Sequence, residues 1–423
     1  MKKLIVAVAL PWILQAQSIP ELFDALKSHA QVKSDMMQVK KSEVQKSMVE
    51  SSLYPKVDLF ASYDNYNEAT GMLPVAPNHL LNMVKDQTIA QPFSNNIYRA
   101  GAKFSMPLFV KSIYTTAHKA EAMQKSAKAK KRINLLKNEA LIVSSNANFL
   151  YLESLKKSLE GKEKSLYETQ KTLRIKVENG RSPASSLYKI NDSLNEIAIA
   201  KNNIELQKKK VISSIESLTG ISLSKPVSMQ EVSSFSKGSL ASLKPLEEKI
   251  NADRINIKAQ KEKFYPALFA HGSYVFSSAK AYNNDKDINE EYGNIGVVLN
   301  IPLLEVNQYD AVSLAEVELQ SSEVELEKMQ DELNAQARML EDSLPLLENS
   351  LQLHTKSIEN KKKLLEIAKI NFRNGRLSTE EYLRYEDAVV AQEANLYKAE
   401  AIKWQTLMKL AVIYANNIEE MVR

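Results

Sequence analysis

One stretch of this chain occurs twice, and that repeat limits what the chain can fold into. The first copy reads Asn179-Gly180-Arg181, then Leu187-Tyr188 and Asp192; the second reads Asn374-Gly375-Arg376, then Tyr382-Leu383 and Asp387. A constant offset of 195 residues aligns all of these positions. Each copy closes one long helical pattern and opens another. Glycine ends a helix well because it takes the left-handed conformation without a Cβ clash. Ser182 and Ser378 follow as N-caps, with Pro183 expected at the first helical position. The two copies are read as tips of two helical hairpins, and the chain as two copies of one unit.

Composition agrees with long helices: 423 residues contain only 10 Gly and 13 Pro. With 56 basic against 51 acidic residues, the charge balance is too even to mark a nucleic-acid binder. There is no cysteine, which excludes disulfides, thiolate metal sites and lipid attachment at an N-terminal cysteine. Lys2 and Lys3 precede an apolar run from Leu4 to Leu14, with the small residue Ala16 beyond it. This pattern predicts a cleaved export signal over residues 1–16, the alternative being a buried N-terminal helix. The run is too short to span a bilayer as a helix.

In chain order, a helix is expected from about Pro20 to Ser52, stopped by Leu53-Tyr54-Pro55. Strands are expected at about 56–66 and 98–106, where apolar and polar residues alternate, separated by a long loop over 67–97. Pro107-Leu108-Phe109 then opens a long helix over 108–178, and a return helix covers 183–219. The heptad-like recurrence of Ile133, Leu136, Ala140, Val143, Leu159, Leu166 and Leu173 marks a coiled seam. Seventy such residues make a rod of roughly 105 Å, which no single globular core accommodates. Residues 220–242, rich in serine, divide the halves as a linker segment. The second half, 243–423, repeats the order: a short helix to Phe264-Tyr265-Pro266, strands at about 267–276 and 292–301, a polar loop over 277–290 between them, then Ile301-Pro302-Leu303. A long helix over 303–373 and a last helix over 378–418 complete it. Pro345, inside that long helix, has no counterpart in the first half and is expected to kink it.

The fold class is thus mainly α with a small β part, built as long antiparallel coiled-coil helices in two tandem repeats. The strands have the length and alternation of a membrane barrel, which separates lipid from lumen. Four strands cannot close such a barrel, so the chain would have to oligomerise. A soluble sheet half-buried on one face alternates as well and is the competing reading.

The twofold repeat, the Tyr-Pro before the first strand of each half, the Pro-Leu after the second and the glycine-centred tips resemble the TolC-like outer-membrane efflux and secretion channels. The resemblance covers essentially the whole chain after the signal. It implies a homotrimer with a 12-stranded barrel of transmembrane strands, four per chain, in the outer membrane of a Gram-negative bacterium. It implies a helical tunnel through the periplasm and an equatorial region built partly from residues 220–242. It further implies an exit duct of a tripartite efflux or type I secretion system. There the tips Asn179, Gly180, Arg181, Asn374, Gly375 and Arg376 would dock a periplasmic adaptor, with an inner-membrane pump behind it. Two departures stand out. Family members often carry Val-Gly-Leu where this chain has Asn179-Gly180-Arg181. An acidic ring six residues after the second tip glycine matches Glu381, but a further acidic position is here Arg384. Glu381 and Arg384 are accordingly the proposed aperture gate. The other reading of Glu381 is an ordinary first-turn carboxylate stabilised by its helix N-terminus.

Nothing else in the chain points to chemistry. The five histidines His29, His79, His118, His271 and His354 lack ligand spacing, and no phosphate-cradling loop or nucleophile–base pattern is present. No enzyme activity, cofactor, metal or nucleic-acid partner is expected. The alternatives to a channel are an exported coiled-coil scaffold and a periplasmic adaptor. One asymmetry separates the halves: residues 111–137 carry eight basic side chains and one acidic, whereas 306–332 carry eight acidic and one basic. Alternating charge of this kind would disfavour packing the two halves in swapped positions.

Overall fold

The computed structural model describes residues 18–423, so the export signal expected over 1–16 lies outside the described residues. The order of elements is α1 (Ile19–Ser28), α2 (Ala30–Ser51), β1 (Lys56–Gly71), α3 (Pro77–Lys85), β2 (Phe93–Phe109), α4 (Lys111–Glu178) and α5 (Ala184–Thr219). The second half continues with α6 (Lys244–Glu262), β3 (Ala267–Lys280), β4 (Asp287–Asn300), α7 (Val306–Arg373), α8 (Thr379–Tyr414) and α9 (Ile418–Met421). The compact units do not coincide with the tandem halves. One comprises the chain up to Val39, Ala127–Pro245 and Leu326–Arg423; the other comprises Lys40–Ser126 and Leu246–Glu325. Each unit is therefore assembled from both repeats.

The second of these units holds an antiparallel sheet in the order β1-β2-β3-β4. Its register aligns the alternation across all four strands. Leu59 pairs with Ala102, Ala102 with Tyr274, and Ala270 with Val297; Val57 pairs with Phe104, which pairs with Gly272, which pairs with Ile295. One face therefore presents Val57, Leu59, Tyr63, Tyr98, Tyr274, Ile295, Val297 and Leu299, all exposed large apolar or aromatic side chains. Leu59 and Ile295 are more than four-fifths exposed, at 83% and 82%. The opposite face carries Asp58, Asp64, Arg99, Lys103, Ser273 and Asn294. There Arg99 pairs with Asp64 at 2.6 Å, and the Lys103 ammonium lies over the Phe60 ring at 4.5 Å. Gly101 has to be glycine, because a Cβ would stand 2.2 Å from the Tyr274 carbonyl oxygen.

Several expectations need correction here. All four strands extend beyond the alternating stretches, into polar residues such as Asn96, Ser277 and Asn289. Main-chain pairing needs no apolar side chain, so apolar alternation marks only part of a ladder. The loop predicted over 277–290 shrinks to the turn Ala281–Lys286. Pro107 does not end β2, which runs to Phe109 across a register shift where the missing N–H is tolerated. The long helices consequently begin at Lys111 and Val306 rather than 108 and 303. The loop expected over 67–97 contains α3, with Pro77 in its first turn. Asn283 binds the Gln87 and Ile89 carbonyls, and so ties the β3–β4 turn to the segment after α3. In the same unit α7 pairs with α6 through Arg254–Glu323 at 2.8 Å and Lys261–Glu316 at 2.9 Å. Part of the acidic window is thereby neutralised within its own repeat.

The first unit is built on α4, α5, α7 and α8. The heptad positions Leu152, Leu159, Leu166 and Leu173 of α4 are buried with Ile190, Leu194, Ile197 and Ile204 of α5. A second core gathers α1 (Ile19, Leu22, Phe23, Leu26) with Ile142, Phe149, Ile215, Leu407 and Leu410. The segment 220–242 is pinned to it: the fully buried Asn146 accepts from the Val227 N–H at 2.9 Å and donates to its carbonyl at 2.7 Å. Gln230 and Arg423 exchange backbone hydrogen bonds. Three further boundaries differ from expectation. The helix predicted over 20–52 breaks at His29, which is extended; Pro183 is itself the N-cap of α5; and the last helix stops at Tyr414 before the left-handed Ala415. Helix α7 runs through Pro345 uninterrupted.

Glu139 of α4 is 3% exposed within this core. Burial, with the nearby Glu419 carboxylate and against the attraction of Lys27, pushes its carboxyl up to about 7. The folded state therefore holds this proton where the unfolded chain has lost it. Stability associated with Glu139 is complete below about pH 4.5, falls as pH rises, and levels off above about 7. The total is about 3 kcal/mol. Glu139→Gln is expected to raise the unfolding temperature at pH 8 and leave it unchanged at pH 4.5. Thermal unfolding at the two pH values checks this, and an equal shift at both would show that ionisation of Glu139 has no part in it.

Candidate functional site

The two repeated tips close α4 and α7 with the same backbone geometry. Gly180 and Gly375 take φ of +71° and +73°. In the first tip the Arg181 N–H reaches the Lys176 carbonyl at 2.7 Å, and the Gly180 N–H reaches Val177 at 2.9 Å. In the second, Arg376 reaches Asn371 at 2.9 Å and Gly375 reaches Phe372 at 3.1 Å. These are paired 6→1 and 5→2 bonds, the Schellman closure that a left-handed glycine permits. Asn179 additionally donates from its side chain to the Ile175 carbonyl at 2.8 Å. The tips contact each other directly, since the Lys176 ammonium donates to the Arg373 carbonyl at 3.1 Å.

Beyond the second tip, Ser378 caps α8 in a capping box. Its hydroxyl accepts from the Glu381 N–H at 3.2 Å, while the Glu381 carboxylate accepts from the Ser378 N–H at 3.0 Å. These hydrogen bonds hold the Glu381 carboxyl below its ordinary range. Arg384 pairs with Glu380 at 3.2 Å, and Glu380 also takes Lys189 of α5 at 3.0 Å. That doubly paired carboxyl is lowered too, chiefly by Lys189. Glu381 and Arg384 thus lie one turn apart on α8 with different partners.

A buried polar network, which sequence reasoning missed, joins α8 to α4. Tyr382 is fully buried, stacked on Phe372 with ring centroids 4.8 Å apart. Its hydroxyl donates to Glu386 at 2.5 Å, and the Ser165 hydroxyl donates to the same carboxylate oxygen at 2.6 Å. Burial and the adjoining carboxylate push the Tyr382 phenol up to about 12. Glu386 is only 5% exposed, so these two donors are what keeps its charge tolerable there. Next to it the buried Lys162 pairs with Asp387, and further along Glu393 takes Ser158 of α4 and Lys362 of α7. Apart from the Tyr382–Glu386 bond, which lies within α8, each of these contacts links the first repeat's long helix, or α7, to α8. The repeat alignment had singled out Tyr382 and Asp387 as matching positions, but it carried no sign of their partners on α4.

Among the described residues no cluster of His, Asp or Glu has the makings of a metal site, and no helix is long and apolar enough to cross a membrane.

No protein-family model and no curated protein matches the chain by sequence. Solved structures do match it. The outer-membrane channel CmeC of Campylobacter jejuni aligns with TM-score 0.77 at 17% identity, over 94% of this chain and 85% of that one. The outer-membrane protein VceC of Vibrio cholerae aligns with TM-score 0.75 at 13% identity, over 93% and 95%. The open-state outer-membrane channel MtrE of Neisseria gonorrhoeae aligns with TM-score 0.73 at 13% identity, over 94% and 89%. The chain has the fold of TolC-like outer-membrane channels.

Proposed function

We propose that this chain is one subunit of a trimeric outer-membrane channel, the exit duct of a tripartite efflux or type I secretion assembly. The observation that carries the reading is the sheet. A four-stranded sheet with one continuous exposed apolar face and edges left at β1 and β4 needs both lipid and further strands. Three copies joined β4 to β1 give 12 strands, an even number within the range of membrane barrels. Helices α5 and α7 also keep exposed apolar rows with heptad spacing, Ile199 and Leu206 on one and Leu346 and Leu353 on the other. Rows of this kind serve a coiled contact between subunits. The likeness to solved outer-membrane channels supports the same reading. In it the Asn179–Arg181 and Asn374–Arg376 tips face the periplasm and dock an adaptor with its inner-membrane pump. Glu381 and Arg384 border the aperture, and the Tyr382–Glu386–Ser165 network holds it narrow. The duct passes substrate without chemistry of its own.

The experiment is membrane fractionation followed by light scattering of the detergent-solubilised protein, with gel migration before and after boiling. A trimer in the outer-membrane fraction whose migration changes on heating is expected. A soluble monomer or dimer would overturn the proposal in favour of a coiled-coil scaffold.

A further inference from the structure

The four long helices of the first unit line an open cavity of about 830 Å³ that has no part in the tips or the network above. Its floor is apolar, with Leu141 of α4, Val211 of α5, Leu333 of α7, and Met408 and Val412 of α8. Three ammonium groups border it: Lys137 on α4, Lys210 on α5 and Lys409 on α8. All three are exposed. Lysines elsewhere on these helices are matched with carboxylates, as in Lys156–Glu205, Lys201–Glu163 and Lys208–Glu153, each at 2.8 Å, and in Lys403–Glu348 at 3.2 Å. Among the described residues no carboxylate lies within ion-pair distance of Lys137, Lys210 or Lys409. The one acidic residue on the cavity wall, Glu332, stands 3.9 Å from Lys328. The cavity also presents the amides of Asn148, Gln336 and Gln405.

We infer that this cavity binds amphipathic anions, molecules with an apolar body and a carboxylate, sulfonate or phosphate head. The volume suits one small organic molecule, since ligand pockets typically measure about 300–1,000 Å³. An apolar floor with a cationic rim matches such a ligand at both ends. A cationic amphiphile would meet the same floor but face three like charges. On α4, Ser144 and Asn148 line the cavity, while Asn146 between them binds Val227, so the cavity opens on the face of α4 away from Val227, and Ser242 at the end of the 220–242 segment joins its wall. The substrate role of this site rests on the channel reading, under which three such cavities lie along the conduit and favour anions as charged rings do. Binding itself needs only one chain.

The test uses energy transfer from tryptophan to two matched dansyl probes, dansylglycine, which is anionic, and dansylcadaverine, which is cationic. The chain has two tryptophans, and Trp404 adjoins the lining residues Gln405 and Met408. Trp12 falls within the export signal expected over residues 1–16, so the measurement uses the mature protein in neutral detergent, with its oligomeric state followed separately by light scattering. Dansylglycine is expected to saturate at one per chain and bind about tenfold tighter than dansylcadaverine, a preference that shrinks with salt. Lys137→Gln/Lys210→Gln/Lys409→Gln should abolish the preference, whereas Leu141→Ala should weaken both probes alike. No saturable transfer, equal affinity for the two probes, or an unchanged preference in the triple variant would each overturn the inference. No saturation is also what a neighbouring copy filling the cavity would produce. Anion preference in a monomer would sink the channel reading alone, and a trimer lacking the preference would sink this inference alone.

Discussion

Val297→Lys is expected to block assembly of the channel, while Asn300→Lys, three residues on, leaves it intact. Both residues are on β4, but the register puts them on opposite faces: Val297 pairs with Ala270 and Asn300 with Ala267. Val297 is 61% exposed and belongs to the row with Ile295 and Leu299. In the proposed barrel that row, with Ala102 and Phe104 of β2, meets lipid, whereas Asn300 and Lys103 face the lumen. A lysine on the lipid face near the midplane costs about 2–4 kcal/mol, falling toward zero near the interfaces. Each trimer would carry that cost three times. In the lumen a lysine stays hydrated and costs little. Heat-modifiable gel migration of membrane-inserted protein reads the difference. If both variants assemble equally well, the apolar face is not in lipid and the sheet belongs to a soluble scaffold.

The second large effect is expected at the network between α4 and α8. Ser165→Ala with Tyr382→Phe removes both donors to Glu386 and leaves a buried carboxylate without partners, a loss of about 3–5 kcal/mol. Because Ser165 of α4 bonds both Glu386 and the Tyr382 hydroxyl of α8, the loss should free the second hairpin from the first and raise single-channel conductance in planar bilayers. Adding Glu386→Leu should recover stability, because the stranded charge is gone, without restoring the join, so conductance should stay high. Glu381→Gln makes a useful contrast. Its carboxylate is engaged with Ser378 of its own helix rather than with α4, so it should alter cation selectivity and leave conductance near its starting value. Wild-type conductance in Ser165→Ala/Tyr382→Phe would mean that the network stabilises the helices without narrowing the aperture.

Much of the fold was legible in the sequence because it is written in local spacing. The Leu159–Leu173 seam, the left-handed glycines at 180 and 375, and the alternation at 57–63 and 295–299 each depend on residues a few positions apart. The strand ends were less legible, since backbone pairing continues through polar residues that carry no apolar signal. The start of α4 was hidden by Pro107, which the sheet tolerates at a register shift. Helix α3 was passed over because proline and polar residues mark loops and helix starts alike.

By itself, then, the sequence determined the two-repeat order of elements, the glycine closures at 180 and 375, the Ser378 cap and which face of each strand is apolar. Only the tertiary structure decided what those elements touch. Lys162 and Asp387 are 225 residues apart, and Ser165 and Glu386 are 221 apart. Whether such pairs meet depends on the rotation of two long helices about their axes and on their relative axial shift. A heptad pattern specifies a seam, but a shift by one heptad leaves the seam apolar and changes every polar partner along it. The same shift would disperse Lys137, Lys210 and Lys409, which share one cavity because of how four helices pack and not because of any spacing along the chain.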